Sequence, residues 1–270
     1  MKFRYISDSH MHTDCSRDAS HSAMMMCEGA VRLGLHSVTI TDHCECNAYV
    51  SEGYDKSIRQ SYFETRKAAA AFSDRLIVYS GVEIGQPVQN LSAADDALNS
   101  CGFDFALASV HNVKGKPDFF EIDYSKEDIH DLLNRYFDEI MEVIEWGKFD
   151  SLAHLTYPWR YIVGEYNIPL NMDDWAGRID DVLKALIEKE KALELNTSGF
   201  RQKLGESMPN FPIMKRYFDL GGKLITIGSD AHRWADVGGG IERGLELLQS
   251  VGFHHFTVFE KHKPKFLPIC

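Results

Sequence analysis

The sequence has little of what marks a membrane-bound, secreted or nucleic-acid-coating protein. No apolar run approaches the roughly 18 residues that a bilayer-crossing helix needs. No signal-like apolar stretch precedes the first strand-like segment, which begins almost at Met1. The chain is therefore expected to be soluble and cytoplasmic, with no membrane partner. Proline is scarce at 8 residues, and the 20 glycines argue against low complexity or a collagen-like chain. Six cysteines (Cys15, Cys27, Cys44, Cys46, Cys101, Cys270) are scattered with no CxxC pair, so no disulfide framework is expected. Cys44 and Cys46 read as two reduced thiols in a loop; the alternative is soft ligands or a redox-sensitive rim beside a metal. Basic residues are outnumbered, 29 against 40 acidic, for a net charge of −11. Phosphate backbones attract basic surfaces, so long nucleic acid is not an expected partner. A small phosphorylated substrate stays compatible, and cations held by a His/Asp/Glu site would offset part of the charge.

What is present is ordinary for a globular protein: 44% hydrophobic and 26% charged residues over a length of 270. That length suits one α/β barrel, which typically needs about 250 residues. Strands are expected at 3–7, 37–41, 76–82, 105–110, 151–154, 192–196, 224–228 and 255–258, rich in Val, Ile, Leu, Tyr and Phe. Helical patterns fall between them at 22–33, 58–72, 126–146, 174–190 and 209–220, the first with Ser20 as N-cap. Repeated βα units imply parallel strands with helical crossovers. Seven or eight of them suggest a closed TIM-style barrel, with an open doubly wound sheet as the fallback; no GxGxxG turn follows the first strand to favour the latter. Two long connections, 112–125 and 155–173, hold aromatic and charged residues and are expected to be functional.

The twelve histidines carry the main signal. Six of them (His10, His12, His43, His111, His154, His232) fall at or just past the C-terminal end of an expected strand, where an α/β barrel builds its active site. In extended chain, residues two apart point the same way, so His10 and His12 can share an ion. Glu83 and Asp230 add carboxylates, and Glu83 can bridge two ions. Any one strand-end histidine is more often structural. Together, unmetallated, six imidazoles and two carboxylates at one rim would be a costly buried polar cluster. Eight ligands also exceed the three or four that one ion takes from protein. His21, His36, His130, His254, His255 and His262 read as helix, loop or surface residues.

The ordered series Asp8-Ser9-His10-Met11-His12-Thr13, Thr41-Asp42-His43, Gly81-Val82-Glu83, Ser109-Val110-His111, His154 and Ser229-Asp230-Ala231-His232 resembles the PHP (polymerase and histidinol phosphatase) family. Length and loop pattern resemble its stand-alone histidinol-phosphate phosphatases. The resemblance implies a single catalytic domain over residues 1–270, a distorted TIM-like (β/α)7 barrel and three divalent ions, zinc, manganese or iron. It implies that His10, His12, Glu83 and Asp230 hold the first ion and that Glu83, His111 and His154 hold the second. His43, His232 and Asp18 would hold the third, with Asp14 a nearby competitor for Asp18. His10, His12, Glu83, Asp230 and His232 are the implied catalytic set.

Close cations acidify a bound water and neutralise phosphoryl charge, so hydrolysis of a phosphate monoester by a metal-bridging hydroxide is the expected reaction. The resemblance implies L-histidinol phosphate, in histidine biosynthesis, as the substrate. Arg160, Arg201 and Arg233 follow strand ends and are candidates for phosphate contacts, because a guanidinium fork matches phosphate geometry. Asp118, Glu121 and Asp123, with Phe119, Phe120 and Tyr124, and then Tyr157, Trp159 and Tyr161, are expected to form a lid over a cationic aromatic substrate, ordinary solvated loop charges being the alternative. The rival functions are a PHP exonuclease or nucleotide phosphoesterase, an amidohydrolase and a non-enzymatic metal-binding module.

Overall fold

Short apolar runs become parallel strands here because each is followed by a helix that covers its outer face. The computed structural model describes residues 2–270. Its strands are β1 (Ser7–Met11), β2 (Ser37–Ile40), β3 (His43–Glu45), β4 (Ile77–Gly85), β5 (Phe105–Ser109), β6 (Ser151–Leu152), β7 (Ala192–Asn196) and β8 (Ile225–Gly228). The helices are α1 (Ala23–Arg32), α2 (Tyr54–Ala71), α3 (Leu91–Ser100), α4 (Ile129–Trp146), α5 (Tyr157–Trp159), α6 (Ala176–Glu188), α7 (Phe211–Asp219) and α8 (Ile241–Val251). Seven strands run parallel in the order β1-β2-β4-β5-β6-β7-β8, and β3 continues the β2 edge by pairing His43 with Glu83.

The sheet curls until β8 meets β1. There the seam is held not by a ladder but by Asp230 N–H donating to His10 O (2.8 Å) and His12 N–H donating to Ala231 O (2.9 Å). The result is a nearly closed (β/α)7 barrel. The open doubly wound sheet is excluded. Among the described residues, no helix is long and apolar enough to cross a membrane.

Helix α4 shows how the casing is built. Asp128 caps it by accepting from Asp131 N–H, and Gly147 ends it at φ +69°. Its stripe of Leu132, Leu133, Tyr136, Phe137, Ile140, Val143 and Ile144 is buried, each large side chain contributing roughly 1.5–3 kcal/mol.

Two expected strands differ from the structure. The first is Ser7–Met11 rather than residues 3–7: Phe3 and Ile6 are buried outside the strand, and the strand itself is the polar motif. The last, β9 (His255–Glu260), pairs antiparallel with β10 (Lys263–Pro268) off the barrel path. Phe259 of this hairpin stacks on Phe105 at 5.4 Å, and its turn bonds to Asp104, just before β5. The hairpin thus packs beneath the strands, opposite the histidine rim. The N-cap of α1 is Ser22, not Ser20.

Candidate active site

The motif residues of β1 alternate, so Asp8 and His10 face one way and Ser9 the other, while His12 follows just past the strand end. His10 and His12 bring their Nε2 atoms to 3.0 Å of each other. Glu83 Oε2 lies 3.4 Å from His10 Nε2 and 3.6 Å from His12 Nε2. Asp230 Oδ1 lies 3.7 Å and 3.3 Å from the same two atoms. Four donors on a tetrahedron with bonds of about 2.1 Å stand about 3.4 Å apart, so the spacing fits one small cation.

A second set uses the other oxygen of Glu83. Its Oε1 is 3.1 Å from His111 Nε2 and 3.0 Å from His154 Nε2, and these two nitrogens are 3.4 Å apart. In a third group, Asp18 Oδ2 is 3.0 Å from His232 Nε2 and 3.6 Å from His43 Nε2. Asp18, not Asp14, reaches these imidazoles. The rings of His43 and His232 both stack on His12, with centroids at 4.2 Å. His43 Nδ1 is 2.8 Å from Glu83 Oε2, yet neither atom has a hydrogen-bond partner of acceptable direction. Donor atoms crowded together but not aimed at one another suit a shared cation. The chemistry of the set, imidazole and carboxylate without thiolate, suits zinc, manganese or iron alike.

The charges follow from the crowding. Burial disfavours a charged His10, but Glu194, Glu83 and Asp230 outweigh it and raise its pKa well above the ordinary imidazole value. His111 rises likewise against burial, through Glu45 and Glu83. His12 goes the other way: burial, then the charges of His43 and His232, push it well down. Burial works against an ionised Glu83 and Asp230, and the surrounding imidazoles hold both well below the usual carboxylate range. The two carboxylates are therefore anionic at neutral pH.

Behind the ligands stands a layer of acids, of which Asp8 and Asp42 belong to the motif series and Glu194 and Glu45 lie outside it. Glu194 on β7 accepts from His10 Nδ1 (2.7 Å) and from His154 N–H (2.9 Å). Glu45 on β3 accepts from His111 Nδ1 (2.9 Å). Such partners fix imidazole tautomer and ring angle. Asp42 accepts from Thr13, Ser16 and Ser61 hydroxyls, and Asp8 from Ser229 and Gly238, holding the loops that carry Asp18 and His232. The available signal for Glu194 was an acid inside the otherwise apolar run Ala192–Leu195. Cys44 and Cys46 are both buried and free, beside rather than among the ligands.

The rim opens into a cavity of about 790 Å³. Arg160 and Arg233 line it, as do Asp118, Phe120, Glu121, Tyr157 and Tyr161. Arg160 sits at the start of a wider, π-helical turn (Arg160–Glu165) that follows α5, a local distortion common at functional sites. Arg201 is engaged elsewhere: its guanidinium donates to Ser229 O (2.7 Å) and Gly239 O (2.8 Å), tying the loops after β7 and β8 together. The expected lid is also redistributed. Asp123 pairs with Lys126 on the outside. Trp159 packs in the core against Phe137 and Trp175, and Phe119 and Tyr124 are buried as support.

Comparison with known proteins agrees with this geometry. The PHP domain model matches residues 8–198. A probable histidinol-phosphatase of Thermotoga maritima is 30% identical over 254 residues, which cover 93% of this chain and 94% of that one. A histidinol-phosphatase of Lactococcus lactis is 28% identical over 95% of both chains. The crystal structure of histidinol phosphate phosphatase from Lactococcus lactis, complexed with zinc, L-histidinol and phosphate, matches with a TM-score of 0.79 at 26% identity, covering 96% of this chain and 98% of that one.

Proposed function

Because the chain belongs to the PHP domain family, we propose that it is a metal-dependent phosphomonoesterase that hydrolyses L-histidinol phosphate to L-histidinol and phosphate, in histidine biosynthesis. We read it as one catalytic domain acting in the cytoplasm. The observation that carries the reading is Glu83: its two oxygens face two separate imidazole sets, as a bridging carboxylate requires. The named relatives, and the Lactococcus lactis enzyme with zinc, L-histidinol and phosphate, support the substrate.

The enzyme uses divalent metal. Our assignment is three ions: His10, His12, Glu83 and Asp230 would hold the first, Glu83, His111 and His154 the second, and His43, His232 and Asp18 the third. Such ions supply an acidified water at neutral pH and positive charge against phosphoryl oxygens. The chain's own residues do the rest. Glu194 and Glu45 orient His10 and His111. Arg160, on the cavity wall, offers its fork to the phosphoryl oxygens, and Arg233 joins it at the mouth. Arg201 holds the His232 loop with two of its N–H donors and keeps the others for phosphoryl oxygens.

Phosphate release from a panel of L-histidinol phosphate, phosphoserine, a mononucleotide and a short oligonucleotide, with added Mn²⁺ or Zn²⁺, tests the reading. A kcat/KM for histidinol phosphate higher by orders of magnitude is expected. Flat activity, or preference for the oligonucleotide, would remove the named substrate.

A further inference from the structure

We propose that Asp118 is the specificity-determining residue that holds the cationic nitrogen end of the ester; the inference rests on the phosphatase reading above. Asp118 stands in the loop between β5 and α4 and lines the cavity. One carboxylate oxygen is anchored, accepting from Phe120 N–H (2.8 Å) and Tyr157 O–H (3.3 Å). The ring of Tyr157 packs on His111 at 5.0 Å and on His154 at 4.9 Å. Asp118 is thereby placed one side chain away from the second ligand set, in a fixed rotamer.

Of the neighbouring loop acids, two have cations of their own, and Glu121 is exposed to solvent. Asp123 pairs with Lys126 and Glu127 with Lys116. Among the described residues no lysine or arginine forms an ion pair with Asp118. Burial pushes its carboxyl up from the usual range, against the nearby His111 charge. A carboxylate held partly out of water without a partner gains most from a cation brought by a ligand.

Gln86, on the same cavity wall, carries a buried amide. Asn112 donates its Nδ2 to Val113 O (3.2 Å) and Lys116 O (3.0 Å), so its Oδ1 must accept. The Gln86 amide therefore presents its nitrogen to Asn112. That orientation leaves Gln86 Oε1, on a residue 2% exposed, without a donor. A carboxylate without a cation, on the wall of a site whose other need is anionic phosphate, selects a substrate carrying N–H groups and positive charge. An aminoalkyl or imidazolium-bearing phosphate monoester has both. A neutral aryl phosphate has neither.

The rival role for Asp118 is to orient Arg160, whose charge it also feels. The two roles separate by substrate. Steady-state kinetics of the metal-loaded wild type and Asp118→Asn, on L-histidinol phosphate and p-nitrophenyl phosphate, give the selectivity ratio of the two kcat/KM values. Asparagine is isosteric and can still accept from Phe120 and Tyr157. We expect the ratio to fall by about 10- to 100-fold, the range for losing a charged hydrogen-bond partner. The Ki of L-histidinol should rise by more than the Ki of inorganic phosphate. Asp118→Ser, measured the same way, covers a failure of the asparagine variant to fold. Equal loss on both esters overturns the assignment in favour of the Arg160 role. Absence of turnover of either ester by the wild type overturns the phosphatase reading, and this inference with it.

Discussion

Single residues set the chemistry, and Glu194 shows how much is done from behind. Its carboxylate accepts from His10 on β1 and from the backbone of His154 after β6, so one side chain aligns members of two ligand sets. Glu194→Gln is expected to weaken metal affinity about 10- to 100-fold, as loss of an imidazole's carboxylate partner does; chelator competition measures it, and unchanged affinity would count against the role. The protonation pattern gives a second prediction. His10, His43 and His111 have raised pKa values in the protein's own field, so they hold protons near neutrality that a cation must displace. Affinity should therefore rise with pH above the ordinary imidazole value and level off only beyond the raised values. A flat profile would contradict it. The ligands themselves were legible in the sequence, because strand-end position and two-residue spacing are one-dimensional signals. Glu194 and Glu45 were not, because a supporting acid is defined by a partner far along the chain. Arg201 shows the converse: its position after β7 resembles that of a phosphate ligand, and only the fold shows that two of its five N–H groups also tie loop carbonyls.

Elements set how closely those residues approach. Gly228 ends β8 where β1 closes on it, and a Cβ there would collide with His10 Cβ and Glu194 Oε1. Gly228→Ala should cost about 1–3 kcal/mol of stability and also lower metal affinity, because the displaced atoms belong to His10 and to Glu194, its carboxylate partner. Urea unfolding with and without metal separates the two effects; a variant with native stability and native affinity would refute the close approach. Strand periodicity placed β2, β5 and β7 well. It misplaced β1, because a strand of Ser, Asp, Ser, His and Met carries its information in chemistry rather than apolarity. It took β9 as one more barrel strand, since a hairpin arm and a barrel strand share composition and differ only in partner. Helices α3 and α8 were not anticipated; α3 owes its start to the Asn90 cap, and its Ala- and Asp-rich sequence has no broad apolar stripe.

At the scale of the molecule, βα alternation fixes the direction of every barrel strand and so brings ligands from His10 to His232 to one rim. That convergence was legible from the alternation alone. The seam was not: β1 and β8 close through the backbone of His10, His12, Asp230 and Ala231, so the metal ligands are also the barrel's closure. Metal binding should therefore stabilise the whole fold, in proportion to the logarithm of free metal over its dissociation constant. Closure and chemistry thus share the same ligands, and a single titration tests that. Metal-free protein is supplied stepwise with Zn²⁺ or Mn²⁺, and phosphate release from L-histidinol phosphate is followed at each step. The account predicts no turnover without metal and a rise that levels off near three equivalents. Full turnover in the metal-free protein, or turnover unaffected by Glu83→Ala, would contradict it.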